Sequence, residues 1–109
     1  MNDKETVGTI YKISSPNTNQ VYIGSTILTL KKRFTAHKTT FKRNITVCKS
    51  HIILTAGDAV ITELMTLKGV SRKELLSKEY EFMYAFRDIV VNAYGINKHM
   101  ESERKRHKQ

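Results

Sequence analysis

The chain holds one cysteine, Cys48, in 109 residues. A lone cysteine excludes an intrachain disulfide and a cysteine-rich zinc site, and fits a buried or inert thiol in a reducing compartment. No apolar run is long enough to cross a bilayer, and no secretory leader is recognisable, so an intracellular chain without a membrane anchor is expected. Internal repeats and low-complexity linkers are lacking too, and the length suits one domain with a modest core. Most telling is the shortage of acid in the first half. No Asp or Glu occurs between Glu5 and Asp58, while Lys12, Lys31, Lys32, Arg33, Lys38, Lys42, Arg43 and Lys49 fall in that stretch. The net charge is +9 and the pI about 9.8. A basic balance alone serves solubility. A single-sign region of this length is expected where a surface attracts the phosphates of a nucleic acid. A membrane-surface helix is the weaker alternative, because the helix carrying Lys31 and Lys32 must also cover a sheet.

Two β-prone runs, Ile10-Tyr11-Ile13 and Val21-Tyr22-Ile23, flank Ser14-Ser15-Pro16-Asn17-Thr18-Asn19, a segment dense in turn formers. They predict a hairpin that brings Tyr11 and Tyr22 near each other in a register the pattern does not define. A helix is predicted over 29–42, with Thr29 as N-cap and Leu30, Phe34 and Phe41 toward the sheet. On it Arg33 and His37, four residues apart, share a neighbouring face. The pattern from Asn44 to Gly57 is poor and supports no firm element, although Ile52-Ile53-Leu54 suggests a short buried piece. Residues 59–65 read as a strand added to the hairpin. Ser71-Arg72-Lys73-Glu74 has the form of a capping box and opens a long helix expected to reach about Ile89. Residues 98–109 are highly charged and read as a frayed helix or a disordered basic tail after a domain over 1–97. Arg104-Lys105-Arg106 within it suits either a DNA arm or a solubilising end.

The long helix carries an anomaly. At about 100° per residue, Leu75, Leu76, Phe82, Met83 and Phe86 form one apolar stripe with Glu79 in its middle. Glu74, Glu81 and Asp88 fall on the opposite face. A carboxylate on the core side costs several kcal/mol unless it is paired or bound to a metal. An internal salt bridge to Arg33 or Arg72 is the bland reading, and a metal ligand the functional one. The other candidates also have bland readings: half-buried strand tyrosines, a solvated Arg33 in Lys31-Lys32-Arg33, and a surface His37. His51, His99 and His107 show no ligand spacing.

The ordered set Thr9-Ile10-Tyr11, Tyr22-Ile23-Gly24, Arg33, His37, Glu79 and Asn92 resembles the GIY-YIG endonucleases over roughly residues 8 to 92. Thr9 departs from the first motif's glycine, with Gly8 just before it, at a position that supports backbone rather than chemistry. The resemblance implies a small single α+β domain with a central three-stranded antiparallel sheet flanked by helices, and hydrolysis of DNA phosphodiesters with one bound Mg²⁺ or Mn²⁺. It makes Tyr11, Tyr22, Arg33, His37, Glu79 and Asn92 the catalytic set. Glu79 would be the metal ligand, Arg33 the phosphate partner, Tyr11 the general base, and Tyr22 and His37 groups that orient water or phosphate. Asn92 suits a turn or helix-end role equally well. Gly24, Ser25, Lys31, Lys32, Lys38, Lys42 and Arg43 are the DNA-binding candidates. A separate DNA-recognition domain or a homodimer is compatible with the family pattern. Two rivals remain: a binding module of the same fold without catalysis, and a basic nucleic-acid-binding structural protein of another fold.

Overall fold

A computed structural model gives the fold and describes residues 7–43 and 49–92. The elements in chain order are β1 (Val7–Ser15), β2 (Thr18–Thr26), α1 (Leu30–Arg43), α2 (His51–Ala56), β3 (Val60–Lys68) and α3 (Arg72–Ala85). The three strands form one antiparallel sheet in the order β2-β1-β3, the α+β architecture expected.

β1 is central because both of its faces are apolar. Ile10 and Ile13 have opposite parity along the strand, so each serves a different face, and both are fully buried. On one face Ile10, Val21 and Ile23 pack with Leu75 and Met83 of α3. On the other, Tyr11 and Ile13 pack with Ile53 of α2, and Leu30 and Phe34 of α1 close over them. The sheet is thus a layer between α3 and the pair α1–α2. Register places Tyr11 opposite Gly24 and Ile13 opposite Tyr22, so all four share the α1–α2 face. Ser25, opposite Ile10, belongs to the α3 face. The β1–β3 ladder slips by one residue between Ile10 and Tyr11, where Met65 and Glu63 are the successive partners and Leu64 is extra.

Both predicted N-caps form. Thr29 Oγ1 accepts from the Lys32 N–H at 3.2 Å, and Ser71 Oγ accepts from the Glu74 N–H at 3.2 Å. Four expectations change. The segment without a clear pattern contains α2, which buries Ile53 and exposes Ile52. Phe41 meets the His51 ring of α2 at 5.3 Å instead of the sheet. β3 extends to Lys68, three residues beyond the predicted end, because Val7 and Gly8 of β1 continue the pairing. α3 stops at Ala85, short of Ile89. After Phe86 the chain turns so that Ile89 and Val91 exchange backbone hydrogen bonds with Val21, at 2.9 and 2.8 Å, forming an isolated bridge between Val90 and β2. The apolar stripe runs on past the helix end because Phe86 and Ile89 still pack against the same core. The tail over 98–109 lies outside the described residues. Among those described, no helix is long and apolar enough to cross a membrane.

Candidate active site

The Tyr11 hydroxyl is the meeting point of the site. β1 buries the whole side chain, and Gly24 on β2 makes room for it. A Cβ at position 24 would come within 2.5 Å of the Tyr11 Cζ and hydroxyl, and 3.0 Å of Tyr22. Glycine is required here for the close approach of a neighbouring phenol, and the space beside it is filled by Tyr11 itself. The rings of Tyr11 and Tyr22 lie 6.3 Å apart. α1 then delivers two side chains from one face. His37 Nε2 is 2.8 Å from the Tyr11 hydroxyl, and Arg33 Nε donates to it at 3.1 Å. The Tyr22 hydroxyl also bonds to Tyr11 and its ring stands edge-on to His37 at 5.2 Å.

The opposite face supplies the carboxylate. Glu79 lies on the inner side of α3, as its phase predicts, while Glu74, Glu81 and Asp88 are exposed. Its hydrogen-bond partner is Ser25, whose hydroxyl and backbone N–H both bond to the carboxylate. Arg33 adds an attractive field across the edge of the sheet. A cleft of about 550 Å³ opens beside these groups, lined by Ser25, Arg33, Leu75 and the exposed Ile27-Leu28 turn among others.

Burial dominates the proton affinities. It pushes the Tyr11 phenol above its ordinary value, although the Arg33 hydrogen bond and charge pull the other way. It pushes the Glu79 carboxyl up to about 7, against the Ser25 bonds and Arg33. His37 is pushed down to about 4, first by burial and then by the Arg33 and His51 charges. His37 is therefore a neutral imidazole at neutral pH, and Glu79 is poised near its midpoint.

Tyr11, Tyr22, Arg33 and His37 are brought together, with Glu79 across the sheet edge. Asn92 is placed elsewhere. Its Nδ2 donates to the Ile23 carbonyl at 2.6 Å and its Oδ1 accepts the Ile23 N–H at 3.2 Å. The amide thus copies a strand partner and completes the outer edge of β2. Lys31, Lys32, Lys38, Lys42 and Arg43 line the exposed side of α1, with the Lys38 ammonium 4.7 Å above the Phe34 ring. Thr9 pairs within the sheet and its hydroxyl meets that of Thr66 at 3.4 Å, a backbone role as expected. Sequence reasoning missed Ser50, which is fully buried with its Oγ 2.7 Å from His37 Nδ1. The available signal was a serine two positions ahead of Ile52-Ile53-Leu54, with His51 between, an N-cap pattern for a helix too short to show periodicity.

Two phenols, a guanidinium and a neutral imidazole meet at one oxygen, beside a half-buried carboxylate on a strongly basic surface, an arrangement suited to phosphate chemistry. The family model for the GIY-YIG catalytic domain matches residues 7–94, most of the chain. The protein belongs to the GIY-YIG family, and with it to a nuclease kind of enzyme. Neither the curated proteins nor the solved structures compared with it give a match.

Proposed function

We propose that this protein is a divalent-metal-dependent endonuclease that hydrolyses phosphodiester bonds in DNA. The observation that carries the proposal is the Tyr11 oxygen, held by His37 at 2.8 Å and Arg33 at 3.1 Å, with Glu79 close enough for its charge to act on the phenol.

The residues present fit a cation. Among the described residues no three His, Cys, Asp or Glu side chains gather into a closed metal cage. An Mg²⁺ site needs no such cage, because that ion keeps several waters and is usually held by one or two carboxylates together with substrate phosphates. Glu79 is a carboxylate whose burial is only partly offset by Ser25 and Arg33. It gains from meeting a cation, and Glu79 would hold Mg²⁺ or Mn²⁺. The bound ion supplies charge stabilisation at a phosphate oxygen.

The protein groups supply the rest. Arg33 presents a charge-assisted donor to the non-bridging oxygens and stabilises the charge that grows on them. Tyr11 accepts a proton from the attacking water as the new P–O bond forms, and passes its own hydroxyl proton to His37 Nε2. The bond to the leaving sugar oxygen breaks, and that oxygen is protonated from solvent. Such a relay does not require a standing phenolate, which burial disfavours. A phosphodiester beside Arg33 also offsets the positive field that lowers the affinity of His37 for a proton. Tyr22 orients the Tyr11 hydroxyl, and Asn92 holds the β2 edge that carries Tyr22 and Gly24 in place. Lys31, Lys32, Lys38, Lys42 and Arg43 bind the DNA backbone.

Relaxation of supercoiled plasmid in Mg²⁺, with and without EDTA, tests this reading. EDTA and Glu79→Ala should each abolish nicking while DNA binding in EDTA survives. Undiminished nicking in EDTA would remove the metal, and binding without any nicking would leave a non-catalytic module.

A further inference from the structure

Ser50 stands at the N-cap of α2, where a serine hydroxyl ordinarily accepts from a backbone N–H two or three residues on. It makes no such bond. Instead the hydroxyl is fully buried and lies 2.7 Å from His37 Nδ1. The other ring nitrogen, Nε2, is 2.8 Å from the Tyr11 hydroxyl.

Counting donors gives an arrangement of these bonds that satisfies every group and keeps Nε2 open to the phenol proton. A phenol oxygen carries one hydrogen and two lone pairs. Arg33 Nε–H donates into the Tyr11 oxygen, and with the Tyr22 hydroxyl turned to donate there as well both lone pairs are filled. In that arrangement the phenol's own hydrogen points at His37 Nε2, which is then bare. The ring hydrogen of the neutral imidazole is therefore on Nδ1, and Ser50 Oγ accepts it. In the opposite tautomer Nε2–H donates to the Tyr11 oxygen and the phenol hydrogen turns to the Tyr22 hydroxyl, away from His37, so the proton has no route to the ring.

We propose that Ser50 is a positioning residue of this nuclease site: by accepting the Nδ1–H it holds His37 in the tautomer whose Nε2 can take the Tyr11 proton. Which nitrogen of a histidine is protonated is set by the bond its other nitrogen makes. When Nε2 takes the proton, the Tyr11 O–H bond breaks, a new Nε2–H bond forms, and Nδ1–H remains on Ser50, which helps the ring carry its charge. Without Ser50 the acceptor that favours Nδ1–H is lost, and the ring can present Nε2–H, closing the route. The catalytic consequence rests on the nuclease reading; the tautomer rests on the arrangement of hydrogen bonds around Tyr11 and His37.

The test combines ¹⁵N NMR of the His37 ring with single-turnover cleavage and with DNA affinity measured in EDTA, on the wild type, Ser50→Ala and Ser50→Cys. The wild-type ring should show Nδ1–H. Ser50→Ala should move it toward Nε2–H, slow cleavage by roughly 10- to 100-fold, as loss of a partner behind a reactive histidine does, and leave affinity unchanged. Ser50→Cys, with a weaker acceptor of similar size, should fall between. A wild-type ring bearing Nε2–H overturns the proposal even if neither variant folds. So does a Ser50→Ala protein that keeps Nδ1–H, or one that changes tautomer and cleaves at the wild-type rate. A wild type that shows the expected tautomer and cleaves no DNA sinks the nuclease reading and leaves the hold of Ser50 on His37 standing.

Discussion

Tyr11 does two jobs that conflict. Its ring is core, wholly buried against Ile13 and Ile53, while its oxygen must reach a phosphate. The conflict is resolved by surrounding that oxygen with donors and one acceptor, so that burial leaves no polar atom unsatisfied and raises the phenol's proton affinity only against the pull of Arg33. Arg33 and His37 are four apart on one helix, so a single rotation of α1 aims both at the same atom. Arg33 is asked both to bond the Tyr11 oxygen through Nε and to present its charge to the substrate, two tasks that suit a planar fork. Arg33→Ala should therefore slow single-turnover cleavage by two orders of magnitude or more, and Arg33→Lys should recover only a small part, because an ammonium serves one of the two tasks. Full recovery by lysine would show that charge alone is needed.

Each element can be judged by what it brings to this atom. β2 brings a gap: Gly24→Ala would push a methyl into the Tyr11 ring, and overpacking of this kind costs about 1–3 kcal/mol. The variant should melt lower and cleave slowly, since the displaced phenol no longer lies between His37 and Arg33. α3 brings Glu79, at a cost to the fold that depends on pH. Its folded value of about 7 lies above the ordinary 4.5. The carboxyl is neutral in both states below pH 4.5, so folding then carries no charge penalty, and the penalty grows as pH rises and is complete above about 7. Metal-free Glu79→Gln should consequently melt about 5 °C above the wild type at pH 8 and equal it near pH 4. An equal shift at both pH values would mean that the effect is packing and not charge. The same elements show what was legible in sequence. The hairpin and the inner side of α3 were readable because two β-prone runs, at 10–13 and 21–23, flank a segment dense in turn formers, and because Glu79 interrupts a stripe of period 3.6. α2 was not, since six residues rich in β-branched side chains show no helical period. Ser50 meets His37 across a thirteen-residue separation that no local pattern reports. The end of α3 was hidden because Phe86 and Ile89 stay in the core after the helix has stopped. Asn92 was readable as a polar position, but its use on the Ile23 backbone depends on a tertiary pairing.

At the scale of the whole molecule the charge is segregated. The acid-free stretch spans the hairpin and α1, so the surface beside the site is positive, and Glu79 is kept inside where it does not repel a phosphate backbone. Affinity for duplex DNA should fall steeply with salt, and Lys32→Ala should reduce the slope of log affinity against log salt by about 0.9 for one lost phosphate contact, with little change in the cleavage rate of bound DNA. A slope unaltered by Lys32→Ala would put the DNA on another face. The central claim, that the buried phenol of Tyr11 moves the proton in a nuclease reaction, has a more direct test. It is the single-turnover cleavage rate of Tyr11→Phe on duplex DNA at saturating Mg²⁺, read beside its melting temperature. The substitution keeps the ring and its packing, and costs about 1–3 kcal/mol for the groups left without a partner, so the protein should fold. A folded Tyr11→Phe protein that binds DNA but cleaves at least a hundredfold more slowly is the predicted result. A folded variant that cleaves at the wild-type rate would contradict it.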